Sequence, residues 1–276
     1  MDSLYVAAAL FSAALHACWN AAVKTSAQPG HAMTAQMLVS ALFSLPLMAW
    51  AGWPAAAAWP WMGLSTLFGI ASVAATLRAY AAGSFGMVYP MARSASVLLV
   101  LPLAAAMAAE WPRPLSLAGV ALVSLAVLLL ARGPRGSLSR AGLGWTLLAA
   151  ALTAGYIVCD GLGVRRAGSP LAYGSTMAVI NALTWTTWQR QRGLRLHELR
   201  PQLPRAALLA MAAMASYLLI LWVWAHVPIA PASALRDTSA IFATLIAVTV
   251  LKERVDARVL GAVALATAGA VAIRLG

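Results

Sequence analysis

The chain has 276 residues, of which 62% are hydrophobic and 9% are charged, with a formal net charge of +12. The apolar residues recur in blocks of about 20, the length that crosses a hydrocarbon core about 30 Å thick, and a soluble fold has no core that could bury them all. The basic residues fall mostly between these blocks, as the positive-inside rule expects, so the charge does not indicate nucleic-acid binding.

Clusters of glycine, proline and arginine divide the chain into ten apolar blocks. Each backbone amide in a bilayer must be bonded within its own segment, and barrel strands would alternate over about 10 residues, so we predict helices. The fold class is an all-α membrane protein. The ten predicted spans are residues 4–24, 32–50, 60–81, 86–109, 114–131, 142–161, 170–189, 206–226, 229–251 and 257–274.

The ten spans form two halves of five. Residues 1–131 make a first five-helix repeat, residues 132–141 a polar connection, and residues 142–276 a second five-helix repeat. Because five is an odd number, the two halves must lie in the membrane in opposite orientations. Such an inverted repeat is typical of secondary transporters.

Two segments, residues 91–110 and 234–253, resemble one helix written twice. Arg93 and Glu110 of the first correspond to Arg236 and Glu253 of the second, at the same offset (236 − 93 = 253 − 110 = 143). Arginine and glutamate lie roughly 25 Å apart along each helix, so neither arginine reaches its own glutamate.

Antiparallel packing of the fourth and ninth helices would bring Arg93 level with Glu253, and Arg236 level with Glu110. We therefore predict these four residues as gates, two ion pairs at the two mouths of a cavity that form in different states. The alternative is interfacial anchoring, with the arginines at lipid headgroups and the glutamates in solvent.

Both halves begin with a polar stripe. His16, Asn20 and Lys24 recur every four residues in the first span, and Tyr156 and Asp160 hold the same phase in the sixth. Polar side chains this deep in a span usually face the bundle interior or a water-filled cavity. Three structural roles are alternatives: the stripe as a packing seam, Lys24 as a residue that reaches the headgroups, and Asp160 as the partner of the arginines at 165 and 166.

Several motifs together resemble the EamA family of the drug/metabolite transporter superfamily. They are the stripe His-Ala-Cys-Trp-Asn-Ala-Ala-Val-Lys at 16–24, the sequence Leu-Lys-Glu-Arg at 251–254, and the following Gly261 and Gly269. The resemblance covers essentially the whole chain. It implies a secondary transporter of the bacterial inner membrane, commonly an exporter of amino acids or other small metabolites, with a central cavity walled by both halves.

The substrate-binding or coupling candidates are His16, Trp19, Asn20, Lys24, Tyr156 and Asp160. His16 is the best candidate for proton coupling because imidazole titrates closest to physiological pH. Catalytic, phosphate-binding and metal-binding motifs are missing from the sequence, so we expect no enzyme activity, no metal and no cofactor. The expected partners are a small-molecule substrate, membrane lipid and protons, with no nucleic acid, in a monomer or homodimer.

Two other functions remain open: a flippase for an amphiphilic or lipid-linked substrate, and a non-transporting membrane subunit. The orientation also remains open. Connections after the odd-numbered spans carry twelve basic residues and the opposite side carries four, which places both termini outside. The resemblance to the EamA family instead implies cytoplasmic termini.

Overall fold

The protein is an all-α membrane protein, as the sequence predicts. The computed structural model describes residues 2–111, 113–131, 138–253 and 256–275. Within these ranges the only sheet-like pairing is an isolated bridge between Gly83 and Leu138. Most of the predicted polar connection, residues 132–137, lies outside the described residues.

The described chain contains eleven α-helices, with short 3-10 turns before α3 and α8. The helices are α1 (Ser3–Lys24), α2 (Pro29–Ala51), α3 (Trp59–Ala82), α4 (Phe85–Ala108), α5 (Pro114–Ala131), α6 (Arg140–Arg166), α7 (Pro170–Gln191), α8 (Leu203–His226), α9 (Ile229–Asp237), α10 (Ser239–Thr249) and α11 (Ala257–Leu275).

Nine of the ten predicted spans coincide with one helix, and the ninth is interrupted at Thr238. The Thr238 hydroxyl donates to the carbonyl of Leu235 at 2.7 Å, and the Ile241 N–H donates to the carbonyl of Thr238 at 2.9 Å. Such three-residue bonds tighten the helix and break the regular α pattern. The sequence did not predict this interruption, which separates α9 from α10.

Among the described residues, six helices are long and apolar enough to cross a membrane: α1, α2, α3, α4, α6 and α8. Shorter apolar helices lie in α5 and α11. The remaining span, α7, is less apolar, and α9 and α10 share one span between them.

The helices of the two halves pack on each other in reciprocal pairs. Helix α1 packs on α8, and the equivalent pair in the other direction is α6 on α3. Helix α4 packs on α6, and the equivalent contact is that of α9 and α10 with α1. Helix α2 packs on α7, and α5 packs on α11. Every helix of the first half therefore has extensive contacts with the second half.

Small hydroxyl residues join two of these pairs. Ser12 Oγ donates to the Ser216 carbonyl at 2.7 Å, and Ser216 Oγ donates to the Ser12 carbonyl at 2.8 Å, between α1 and α8. The hydroxyls of Ser72 and Thr153 lie 2.8 Å apart between α3 and α6. Small residues let helix backbones approach closely, and their hydroxyls bond across the interface.

We name the two ends of the bundle after Lys24 and Glu110. At the Lys24 end, the ammonium group of Lys24 donates to the carbonyls of Tyr80 and Gly83, the latter at 3.0 Å. At the Glu110 end, Glu110 pairs with Arg165 at 2.9 Å. The largest cluster of buried apolar side chains fills the Glu110 end, and the clusters toward the Lys24 end are smaller.

Candidate functional site

A cavity of about 230 Å³ lies between the two halves and extends from the middle of the bundle toward the Lys24 end. Side chains from α1 to α4 and from α6 to α9 form its wall. Its volume far exceeds the about 10–15 Å³ that a single buried water requires, so a small molecule fits. Five of the six predicted binding or coupling residues line the cavity: His16, Trp19, Asn20, Tyr156 and Asp160.

Lys24 does not line the cavity and instead caps helix α3 through the carbonyls of Tyr80 and Gly83. The last carbonyls of a helix have no partner within the helix and carry partial negative charge, so they attract a cation. The geometry therefore gives Lys24 a structural role, and a role in binding has no support from it.

His16 brings the polar stripe of α1 into contact with the interrupted ninth span. Its Nδ1 lies 3.2 Å from Nη2 of Arg236. Because a guanidinium only donates hydrogen bonds, Nδ1 must accept, which assigns the imidazole proton to Nε2. The ring of Trp19 meets His16 edge-on, with centroids 5.1 Å apart.

Asn20 and Tyr156 also contribute polar groups to the wall of the cavity. The amide of Asn20 donates to the His16 carbonyl at 2.9 Å, and its oxygen accepts from the Tyr80 hydroxyl at 3.3 Å. Tyr156 faces the guanidinium of Arg93. Asn20 is thus bonded on both of its polar atoms and orients α1 against α3.

Asp160 sits among three hydroxyl groups and is only 1% exposed. Its carboxylate accepts hydrogen bonds from Ser65, from Tyr173 at 3.0 Å and from Tyr217 at 2.8 Å. The hydroxyls come from α3, α7 and α8, so Asp160 draws three helices onto α6. Hydroxyl donors of this kind compensate for the lost hydration of a buried carboxyl group.

The alternative ion pair of Asp160 with the arginines at the end of its helix is not formed. Arg165 pairs with Glu110, and Arg166 donates to the carbonyl of Leu162 at 2.9 Å. Helix α6 extends to Arg166, which places both arginines roughly 8 Å beyond Asp160 along the axis.

Arg93 forms an ion pair with Asp237, which links α4 to α9 in the middle of the bundle. Neither predicted gate pair is present: Arg93 does not contact Glu253, and Arg236 contacts His16 in place of Glu110. Burial of Arg93 and Arg236 also rules out the alternative of headgroup anchors in this conformation.

The two gate glutamates instead bind the starts of helices in the opposite half. Glu253 accepts the backbone N–H groups of Phe85 at 3.0 Å and Gly86 at 2.8 Å. Glu110 accepts that of Ile229 at 2.8 Å. A helix start presents unpaired N–H groups and partial positive charge, which favour a carboxylate. Glu253 therefore lies about two helical turns from Arg93, too far for an ion pair.

Sequence reasoning missed Asp237 and the three hydroxyl residues that donate to Asp160, which are Ser65, Tyr173 and Tyr217. Asp237 was detectable, because a carboxylate in the interior of an apolar span must be neutralised or bonded. Ser65 and Tyr217 carried no comparable signal, since hydroxyl side chains are frequent in membrane helices, and only the packing of α3 and α8 brings them to Asp160.

Residues 140–275 match the EamA-like transporter family. The match covers the second half of the chain. No curated protein sequence matches it. A solved structure, described only as "Crystal structure of protein", is similar with a TM-score of 0.71 at 15% identity, over 99% of this chain and 96% of that chain. At this identity the similarity shows the fold alone.

The match to the EamA-like family and the apolar helices identify a multi-pass membrane transporter. The matched residues include much of the polar site: Tyr156, Asp160, Tyr217, Arg236 and Asp237. The other wall of the cavity comes from α1 to α4, before the matched range. The site therefore lies between the matched half and the half that precedes it.

Proposed function

We propose that this EamA-like protein exports a small metabolite, such as an amino acid or a related compound, across the inner membrane by alternating access. The observation that carries the proposal is the cavity, which collects charged and polar side chains from both halves. Ionisable groups inside a membrane are costly and usually line a solute or ion path.

An inverted repeat would let the two faces of the cavity exchange roles. The reciprocal packing of the helices supports it. The ends of α4 and α10 also support an inverted repeat, because they share one backbone conformation. Ala109 and Lys252 are both left-handed, with φ of 56° and 54°, and each directly precedes a glutamate, Glu110 or Glu253.

The position of the cavity supports the proposed direction of transport. It extends toward the Lys24 end, where the basic connections lie, and the positive-inside rule places that end in the cytoplasm. A cavity on that side supports export, because an exporter loads its substrate from the cytoplasm. A reporter fused after residue 276 tests this orientation, because a cytoplasmic reporter would place the Lys24 end outside and contradict loading from within.

Flux through purified protein in liposomes tests the function itself. We expect His16→Ala and Asn20→Ala to abolish transport of labelled amino acids while expression and size-exclusion profile stay nearly unchanged. Cys18→Ala is the matched control, because Cys18 lies on the same helix and is exposed. Full transport by these two variants would indicate that His16 and Asn20 only pack the helices. Transport that falls only in proportion to the amount of protein in the membrane would indicate the same.

The same preparation separates export from the other two functions. Water-soluble compounds compete with a labelled metabolite if the protein is a metabolite exporter, whereas movement of a labelled lipid without such competition indicates a flippase. Liposomes that show neither activity would indicate a non-transporting subunit.

A further inference from the structure

Arg236 is a buried cation that forms no ion pair with a carboxylate among the described residues. Its side chain lines the cavity and the residue is 3% exposed. Nη2 donates to His16, whereas Nε and Nη1 have no hydrogen-bond partner within the described part of the chain. Arg93, its counterpart in the first half, differs because Asp237 pairs with it.

An unsatisfied guanidinium in a membrane interior is energetically expensive, so a binding partner is expected. The carboxylate of Asp160 also lines the cavity, but it accepts three hydroxyl hydrogen bonds and forms no ion pair in the described structure. Nη2 carries two N–H groups and His16 accepts from one, so the other can join Nε or Nη1 in a planar fork that matches the two oxygens of a carboxylate or a phosphonate.

Trp19 supplies a second donor in the same part of the cavity. Its indole Nε1 is buried and has no hydrogen-bond partner in the residues that the structure covers. An indole N–H only donates, so it too requires an acceptor. Trp19 and Arg236 both contact His16, so the two side chains that carry unsatisfied donors adjoin the same imidazole ring.

The rest of the wall is less polar. Met33, Met37, Ile70, Val73 and Met214 line the cavity. Methionine is flexible and adapts to irregular apolar ligands, and binding pockets commonly combine an apolar wall with a few convergent polar groups. A ligand with one anionic group and a short apolar body complements this surface.

We propose that substrates enter this cavity with an anionic group, a carboxylate or a phosphonate, that binds Arg236 and the indole N–H of Trp19. The apolar body of the substrate lies against the methionine-rich wall. This inference rests on the proposed transport function and names the chemistry by which that function selects its substrate.

Calorimetric titration of the purified protein in detergent tests the proposal with four probes of similar size. Valerate and propylphosphonate carry the anion, and valeramide and pentylamine are the neutral and cationic controls. We expect one or both anions to bind and the controls to show no binding. Binding of valerate alone assigns a carboxylate site, and binding of propylphosphonate alone assigns a phosphonate site.

Variants identify the group that binds the anion. Arg236→Gln should weaken anion binding about ten- to hundredfold, because a charge-assisted hydrogen bond is lost. Arg236→Lys should lose less, since it keeps the charge but not the fork. Trp19→Phe keeps an aromatic ring and removes the N–H, and it should also weaken binding. Arg78→Gln is the matched control, because Arg78 is exposed and lies over the ring of Trp145 at 4.3 Å.

If Arg236→Gln does not fold, the anion affinities of Arg236→Lys and Trp19→Phe test the proposal. The proposal is overturned if neither anion binds at millimolar concentration, or if valeramide or pentylamine binds as tightly as valerate. Unchanged anion affinity in the folded variants overturns it as well. Flux of neutral or cationic solutes without anion binding would support the transport function and overturn the anion site. Anion binding without flux would support the anion site and overturn the transport function.

Discussion

Arg93 and Asp237 form an ion pair that ties α4 to α9 at the centre of the bundle, with side chains 6% and 3% exposed. Arg93 comes from the first half of the chain and Asp237 from the second. Removal of one partner would leave the other charge buried and uncompensated, which usually destabilises a protein more than the intact pair stabilises it.

We expect Arg93→Gln to lower the free energy of unfolding by about 3–5 kcal/mol, as is typical for the loss of one member of a buried pair. Reversible unfolding in mixed micelles measures this loss. The double variant Arg93→Gln with Asp237→Asn should lose less than the sum of the two single variants. Arg78→Gln, an exposed control, should change stability by no more than about 0.5 kcal/mol. Additive losses in the double variant would show that the two charges act independently.

Glu110 and Glu253 should bias the conformation of the transporter in opposite directions. Each carboxylate ties a helix start of the other half at one end of the bundle. We expect Glu110→Gln to favour opening of the Glu110 end and Glu253→Gln to oppose it, each by about 1–3 kcal/mol.

A cysteine at Val97, in the buried cluster of the Glu110 end, reports this opening. With Cys18 and Cys159 replaced by serine, labelling at position 97 should become faster in Glu110→Gln and slower in Glu253→Gln. Equal changes in both variants, or none, would mean that the glutamates only stabilise helix starts.

Proton coupling is expected to depend on His16 or Asp160. His16 faces Arg236 from α9 and Tyr89 and Arg93 from α4, whereas Asp160 faces three hydroxyl groups. Flux in liposomes should respond to an imposed pH gradient and become insensitive to it in His16→Gln or Asp160→Asn. A parent protein whose flux ignores the gradient would eliminate proton coupling through either residue.

Gly269 permits close packing of α11 on α5. A Cβ atom at this position would lie 2.6 Å from the carbonyl oxygen of Gly119 and 2.6 Å from Cγ2 of Val123. We expect Gly269→Ala to separate the helices and destabilise the protein by about 1–3 kcal/mol, the usual cost of overpacking.

Gly261→Ala is the matched control on the same helix, because a Cβ atom added at Gly261 would meet no other atom within 4 Å. This variant should keep or slightly raise stability, by about 1 kcal/mol or less, since alanine favours helix more than glycine does. Thermal unfolding of both variants measures the contrast. Equal stability of the two would show that α5 and α11 separate without cost.

Helix positions were predictable from the sequence. A bilayer permits few solutions for an apolar segment of about 20 residues, so the blocks and their polar borders located the helices to within a few residues. The polar stripe of α1 was predictable for the same reason, because His16 and Asn20 lie too deep in an apolar span to face lipid. The offset between Arg93 and Arg236 also identified two equivalent positions in the chain.

The partners of these residues were not predictable. The register of an ideal helix predicted that Arg93 lies beside Glu253. In the structure, the ninth span is interrupted at Thr238, Asp237 pairs with Arg93, and Glu253 binds the start of α4. Lys24 likewise continued the stripe in sequence and yet binds the end of α3.

The sequence by itself determined which segments enter the membrane and which polar side chains enter with them, because hydrophobic length and helical periodicity are local properties of the chain. Only the tertiary structure decided which charges are neutralised. It paired Arg93 with Asp237 and surrounded Asp160 with hydroxyl groups, and it left Arg236 facing the cavity. The physical reason is that an ion pair or hydrogen bond depends on distances of about 3 Å between helices far apart in sequence, which local patterns do not encode.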